Sequence, residues 1–187
     1  MISNQGSPEV SSRPFGQGLV EVFTGNGKGK TSAALGTAIR ALGHNLRVYI
    51  IFFMKGRYPY GEREILSRLP NIGFSVFGED YFVDKDNIKP EEKEDAREAL
   101  NKAREVINSG NYDVVILDEI NVAAGWNLLD TDDVLQLIEN KPKNVELILT
   151  GRYADKRLIE AADLVTEMVK VKHPYDRGVK ARRGIEY

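Results

Sequence analysis

The chain has no cysteine and only two histidines among its 187 residues. Without thiols it forms no disulfide, no thiolate metal site and no cysteine nucleophile, and this agrees with a reducing cytoplasm. The 26 basic and 28 acidic side chains nearly cancel, so the net charge of -2 gives no general attraction to nucleic acid or to an acidic membrane. The sequence also lacks a bilayer-length apolar run and a secretory signal. We therefore expect a cytoplasmic protein with no nucleic-acid partner and no membrane partner.

The composition that remains is typical of a globular protein, with 42% hydrophobic and 29% charged residues. Residues 1–17, rich in Ser, Gly, Pro and Asn, are predicted to form a flexible N-terminal arm, and 18–187 a single domain. Strand patterns occur at 18–24, 47–53, 74–77, 112–117, 145–149 and 164–171. Helix patterns lie between them at 31–42, 62–69, 90–109, 132–140 and 155–162. This alternation predicts a single-domain α/β fold with a mostly parallel sheet and helices on both faces.

A glycine-rich loop connects the first predicted strand to the first predicted helix and reads Thr-Gly-Asn-Gly-Lys-Gly-Lys-Thr over 24–31. Glycines let a loop turn tightly and point its backbone N–H groups inward, where they can hold phosphate. Lys28 and Lys30 add positive charge, and the Thr31 hydroxyl suits a hard metal ion. The loop therefore predicts a P-loop site for a triphosphate and Mg²⁺, although Thr24 stands where the usual pattern has glycine.

Further polar groups follow other predicted strands, at the edge where parallel sheets bind their ligands. Asp118 and Glu119 end the apolar run 114–117, and Arg152 follows a later strand. A buried carboxylate needs a partner, which a metal ion or an ordered water would supply. We therefore predict that the acidic pair serves a metal and a nucleotide, the alternative being a strand end in solvent. Arg152 could reach a phosphate, a ribose or Glu119, or be a surface arginine, and Lys55 is a weaker candidate of the same kind.

The loop at 78–89 carries two aromatic residues, Tyr81 and Phe82. They form either an apolar platform for a flat ligand or a cap on the core. A basic stretch at 177–183 has three competing explanations, which are nucleic acid, an anionic ligand and a solvated surface. The overall charge argues against the first of these.

Four segments together resemble the P-loop type of ATP:corrinoid adenosyltransferase, also called cob(I)alamin adenosyltransferase. They are the loop 24–31, Leu-Asp-Glu-Ile-Asn at 117–121, Leu-Thr-Gly-Arg at 149–152 and the ending 178–187. The Gly-Asn-Gly-Lys-Gly-Lys-Thr form is typical of that family, so Thr24 is expected there. The resemblance implies a RecA-like parallel sheet in a homodimer. It also implies ATP and a reduced corrinoid as substrates, Mg²⁺ (with Mn²⁺ as the alternative) as the metal, and a reductase that supplies electrons to cobalt.

The resemblance further implies roles for single residues. The residues it assigns to ATP are Thr24, Gly25, Asn26, Gly27, Lys28, Gly29, Lys30, Thr31 and Arg152. Those it assigns to the metal are Thr31, Asp118 and Glu119, and those it assigns to catalysis are Lys30 and Glu119. Tyr81 and Phe82 are the prediction for the corrinoid, because the family often has Gly-Phe-x-Trp where this chain has Asp-Tyr-Phe-Val at 80–83.

The reaction that the resemblance implies is a substitution at carbon. Cob(I)alamin would attack the ribose 5′-carbon of an ATP bound in the reverse of the usual P-loop orientation, and triphosphate would leave. Two other functions stay open on the residues alone. One is a P-loop ATPase or kinase, in which Glu119 positions water or an acceptor. The other is a non-catalytic, nucleotide-gated binding module.

Overall fold

The computed structural model describes residues 16–56 and 59–187. All but the last two residues of the predicted N-terminal arm therefore lie outside the described residues. Within them, six parallel strands form one sheet in the order β3-β2-β4-β5-β1-β6. The strands are β1 (Val20–Thr24), β2 (Val48–Phe52), β3 (Ile72–Val76), β4 (Val114–Asp118), β5 (Glu146–Thr150) and β6 (Leu164–Glu167). The predicted single-domain α/β fold is confirmed.

Helices cover both faces of this sheet, as the sequence predicts. The α-helices of the described residues are α1 (Lys30–Gly43), α2 (Gly61–Leu66), α3 (Pro90–Asn108), α4 (Ile120–Gly125), α5 (Thr131–Glu139) and α6 (Lys156–Ala161). Alternate residues of β2 belong to two buried clusters. Ile50 lies in the cluster that includes residues of α1 and α2, whereas Ile51 lies in the cluster that includes residues of the other four helices. Strands buried on both faces are apolar throughout, which explains the continuous hydrophobic runs of β2 and β4.

The strand order brings the predicted functional segments together. β4, β5 and β1 are consecutive neighbours in the sheet, and β2 pairs with the other side of β4. Since all strands are parallel, their carboxyl ends meet at one edge. The glycine-rich loop after β1, the acidic pair at the end of β4 and the arginine after β5 therefore lie along the same edge.

The structure adds one helix that was not predicted and corrects the bounds of one predicted strand. Helix α4 follows Glu119 directly, although its short apolar sequence carries no helix signal of its own. Strand β6 ends at Glu167 instead of continuing to 171, because beyond it the backbone turns to the glycine-rich loop: the Met168 carbonyl accepts a 2.6 Å hydrogen bond from the Gly27 N–H. Among residues 16–56 and 59–187, no helix has both the length and the apolar character that crossing a bilayer requires.

Candidate nucleotide site

The glycine-rich loop packs closely against the chain that follows β6. Gly25 has a φ of +94°, in the left-handed region that glycine adopts more easily than other residues. A Cβ on Gly25 or Gly27 would lie 2.6–2.7 Å from the Met168 carbonyl oxygen, so these two positions admit no side chain. The loop geometry thus depends on glycine for two reasons, backbone conformation and close approach.

Lys30 begins α1, and its side chain folds back over the loop. Its Nζ donates hydrogen bonds to the carbonyl oxygens of Gly25 (2.8 Å) and Gly27 (2.7 Å), and the residue is only 8% exposed. Burial lowers the pKa of Lys30, although the charge of Glu119 acts in the opposite direction. Both acceptors are neutral, so no hydrogen-bonded carboxylate offsets the positive charge of this ammonium group. Lys30 therefore presents a buried cation to an anion that enters the loop.

Asp118 is held on both carboxylate oxygens. Its Oδ1 accepts a 2.7 Å hydrogen bond from the Thr150 hydroxyl, and its Oδ2 lies 2.5 Å from the Lys55 Nζ. Both side chains of the ion pair are buried, at 8% and 1% exposure. Burial alone would lower the pKa of Lys55, but the acidic groups around it, Asp118 foremost, together outweigh burial and the pKa is raised. Sequence reasoning ranked Lys55 as a weak candidate and missed Thr150, whose only signal is a hydroxyl at the end of an apolar strand.

Glu119 is half-buried and has an unusual backbone conformation. Its φ of +67° is left-handed, and its N–H donates a 3.0 Å hydrogen bond to the Thr150 hydroxyl oxygen. Burial, and then the neighbouring charge of Asp118, raise the pKa of the Glu119 carboxyl, whereas Lys55 and other cations oppose this shift. Thr150 thus connects the two acids, since it donates to the first and accepts from the second.

Lys30, Lys55 and Glu119 border one cavity of about 490 Å³. Its walls include the loop residues 27–32, Lys55, Glu119 and Arg152, and also the segment 184–187. Asp118 contacts this cavity indirectly, through Lys55. The structure therefore brings together loop, acid and arginine, which the sequence predicted from three separate strand ends.

The remaining ATP candidates lie at the margin of the site. Thr24 ends β1, is buried, and its hydroxyl oxygen accepts a 3.4 Å hydrogen bond from the Ala154 N–H. Asn26 borders an adjoining cavity of about 530 Å³, which it shares with Arg152. Lys28 lines the main cavity, but its Nζ contacts Glu186 at 3.0 Å. Its position therefore differs from that of Lys30.

The two aromatic candidates lie elsewhere. Among the described residues that line the nucleotide cavity, neither Tyr81 nor Phe82 occurs. Phe82 is 76% exposed, and Tyr81 carries the Lys89 Nζ at 4.1 Å from the centre of its ring. The structure thus does not bring them to the glycine-rich loop.

A second and larger cavity of about 950 Å³ is lined by Tyr153, the residue that follows Arg152. Tyr153 and Trp126 line it, with ring centres 6.4 Å apart, and Lys85 comes from the same loop as Tyr81. Tyr153 is half exposed and has a left-handed φ of +62°. The chain thus passes directly from the nucleotide cavity at Arg152 to this aromatic wall.

Comparison with known proteins shows the family of the chain. A family model described as ATP:corrinoid adenosyltransferase BtuR/CobO/CobP matches residues 16–187. The chain is 38% identical to the corrinoid adenosyltransferase of Escherichia coli K12 over 171 residues, which covers 91% of this chain and 86% of that protein. It is 38% identical to the Pseudomonas aeruginosa corrinoid adenosyltransferase (91% and 84% covered) and 34% identical to corrinoid adenosyltransferase CobA of Salmonella typhimurium (91% and 86% covered). The chain therefore belongs to the ATP:corrinoid adenosyltransferase BtuR/CobO/CobP family.

Proposed function

We propose that this chain transfers the 5′-deoxyadenosyl group of ATP to the cobalt of a reduced corrinoid and releases triphosphate, in the synthesis or salvage of the adenosylated cofactor. The observation that carries the proposal is the cavity in which the phosphate loop, Glu119 and Arg152 meet around the cation of Lys30. Family membership supplies the identity of the second substrate.

The bond changes balance without a protein nucleophile. The electron pair of Co(I) forms the cobalt–carbon bond. The bond from the 5′-carbon to oxygen breaks, and triphosphate leaves with the electron pair of that broken bond. No proton leaves carbon, so no base is required. The protein has to align the reactants and stabilise negative charge on the leaving group. We assign that stabilisation to Lys30 and the loop N–H groups, with Arg152 beside them.

The residues present fit a magnesium ion bound together with the triphosphate. Mg²⁺ takes few protein ligands and completes its shell with phosphate oxygens and water. Thr31 offers a hydroxyl and Glu119 a carboxylate at the cavity. Burial and Asp118 raise the pKa of Glu119, and a cation bound beside Glu119 would oppose that shift and favour the charged carboxylate. Mg²⁺ or Mn²⁺ held there would offset part of the charge of triphosphate. Asp118 as a direct metal ligand stays a prediction. Its two oxygens already contact Lys55 and Thr150, so Asp118 would bind a metal only by giving up one of these contacts.

We assign the corrinoid to the 950 Å³ cavity beside Tyr153. A corrin ring is flat and large, and the tilted pair of Trp126 and Tyr153 gives this cavity an aromatic wall. Tyr81 and Phe82 stay predictions for the same ligand, since their loop also supplies Lys85 to that cavity. Replacing Tyr153 with alanine is expected to raise the KM for the corrinoid while leaving the Kd for ATP unchanged.

Two further parts of the proposal follow from the resemblance to the family, namely a homodimer and an electron donor that reduces the cobalt. The cytoplasmic location and the division into an arm at 1–17 and a domain at 18–187 are proposed from the composition of the sequence. Light scattering of the full chain would test the dimer.

The deciding experiment is the identity of the product. The chain is incubated with ATP, Mg²⁺ and chemically reduced cobalamin, and the absorbance of the adenosylated product is followed while the phosphates are separated. We expect adenosylated cobalamin and triphosphate in equal amounts. ADP and phosphate would instead support the ATPase or kinase alternative. ATP binding without either product would support the nucleotide-gated module.

A further inference from the structure

The two lysines of the phosphate loop make contacts of different kinds. Lys30 donates only to neutral carbonyls of its own loop, as described above. Lys28 instead reaches the far end of the chain, where its Nζ donates to the Ile185 carbonyl oxygen at 2.9 Å and to Glu186 Oε1 at 3.0 Å. One of these loop cations therefore has a carboxylate partner before any ligand binds.

Residues 182–187 form a closed turn around that carboxylate. Arg182 donates from its backbone N–H (2.7 Å), its Nε (3.2 Å) and a terminal guanidinium nitrogen (2.9 Å) to Glu186. The backbone closes through hydrogen bonds from the Glu186 N–H to the Arg182 carbonyl and from the Gly184 N–H to the Tyr187 carbonyl. Such bidentate pairing with arginine fixes the direction of a carboxylate as well as its charge. Lys28 thus contacts a turn that is already ordered internally.

The 182–187 turn also borders the nucleotide cavity. Residues 184–187 line it together with Lys28 and the first residues of α1. We propose that Lys28 anchors the 182–187 turn as a wall of the ATP site, and that it positions this wall instead of binding phosphate. The inference rests on the proposed function in taking ATP as the ligand.

Charge and exposure favour this assignment. Arg182 and Lys28 lower the pKa of the Glu186 carboxyl to about 2, so Glu186 stays ionised at neutral pH and keeps its hold on Lys28. The Lys28 and Glu186 side chains are 48% and 24% exposed, and a pair in such contact with water contributes little stability by itself. The contact therefore adds little to the stability of the fold. What distinguishes it from other surface ion pairs is its position beside the cavity.

A double-mutant cycle on ATP binding tests the proposal. The Kd for ATP with Mg²⁺ is measured by calorimetry for the unaltered chain, Lys28→Met, Glu186→Gln and the double variant. Because each change breaks the same contact, we expect each to weaken ATP binding about five- to tenfold, and the double variant to be no weaker than the singles. Hydrogen exchange of the 184–187 amides is expected to rise in all three variants.

Controls separate this effect from loss of charge or folding. Lys143→Met and Glu139→Gln change exposed side chains of the same types and should leave the Kd unchanged. Lys28→Arg keeps a cation that can pair with Glu186 and should retain most of the affinity. Additive losses in the cycle, an effect of Lys28→Met alone, or unchanged affinity in both single variants would overturn the proposal. If the unaltered chain failed to bind ATP, both this inference and the proposed function would fall, whereas ATP binding without triphosphate release would affect only the latter.

Discussion

Two pairs of carboxylates lie at opposite ends of the sheet in different surroundings. Asp118 and Glu119 follow the core of β4 at the carboxyl edge, whereas Glu21 and Glu146 lie near the amino ends of the neighbouring strands β1 and β5. In the second pair, burial followed by the hydrogen bond and charge of Glu146 raises the pKa of Glu21 to about 7. Glu21 therefore keeps its proton up to about neutral pH, and this reduces the charge of the pair.

In the first pair, burial and the charge of Asp118 also raise the pKa of Glu119, but several cations oppose this shift. Lys55, Lys30 and Arg152 all act on Glu119, whereas Arg40 is the cation that acts on Glu21. The cavities beside the two pairs are of similar size, about 490 and 520 Å³, so volume does not distinguish them. The two pairs therefore differ in the fixed cations around the acid, and not in the presence of acids or of space.

The largest effect is expected from removing the cation that holds Asp118. Lys55→Met leaves a carboxylate that is 1% exposed without its ion-pair partner, and this should lower the free energy of unfolding by about 3–5 kcal/mol. Urea denaturation measures the loss. Adding Asp118→Asn to the same chain removes the uncompensated charge and should restore much of the stability.

A surface pair provides the control for this first prediction. Arg104 and Asp133 are 38% and 49% exposed and lie 3.1 Å apart. Arg104→Met should cost less than about 1 kcal/mol, because water screens such a pair. Equal losses of unfolding free energy in Lys55→Met and Arg104→Met would mean that the buried ion pair of the carboxyl edge stabilises the fold no more than a surface pair does. That result would contradict the prediction.

The next largest effect concerns the cation of the phosphate loop. Lys30→Ala should reduce kcat/KM for adenosyl transfer by about 10²–10³-fold, because a fixed positive charge no longer stabilises the leaving triphosphate. Product absorbance measures the rate, and circular dichroism checks the fold. A variant with undiminished activity would remove Lys30 from the mechanism and leave the cations of this edge with a structural role only.

The role of Lys55 is harder to predict from the sequence than the role of Lys30. Lys30 belongs to a local pattern in which strand, loop and helix follow one another, so its place was predictable. The partnership of Lys55 with Asp118 arises only when β2 pairs with β4, and no local pattern predicts that pairing. The same holds for Glu186, which meets Lys28 only through the tertiary fold.

Local conformation set a second limit on prediction. Helix α4 begins directly after a residue with left-handed φ, and single-residue conformations of this kind have no reliable sequence signal outside glycine and asparagine. The missed helix matters because it follows Glu119 at once and so limits the positions that this carboxylate can take. The fold class, in contrast, followed from hydrophobic patterns that extend over whole strands and helices.

A smaller effect is expected on metal binding. Glu119→Gln keeps the shape of the side chain but removes its charge, and we expect the affinity for Mn²⁺ in the presence of ATP to fall about 10- to 100-fold. Electron paramagnetic resonance of free Mn²⁺ measures this without any turnover. Glu146→Gln in the opposite pair serves as the control and should leave Mn²⁺ binding unchanged. Equal losses in both variants would contradict the distinction between the two pairs.

The smallest effect is a pH dependence of stability that arises from the pair far from the site. The pKa of Glu21 rises from 4.5 to about 7 on folding, so between these values the folded chain binds more protons than the unfolded chain. The stability from this group is therefore fully present below pH 4.5 and is lost as the pH rises through about 7. Glu21→Gln imitates the protonated acid and should be more stable than the unaltered chain at pH 8, by about 1 kcal/mol after allowance for partial exposure, and similar to it at pH 4.5.

Urea denaturation at the two pH values measures this difference, with the exposed Glu139→Gln as the matched control. The control should follow the unaltered chain at both pH values. If Glu21→Gln did the same, the acid pair at the amino ends would be charged in the folded state at neutral pH. The contrast would then depend on the phosphate loop alone. If the difference appears as expected, the proton held by the one pair and the cations around the other are two solutions to the same cost of burying carboxylates, and only the second leaves charge available for a ligand.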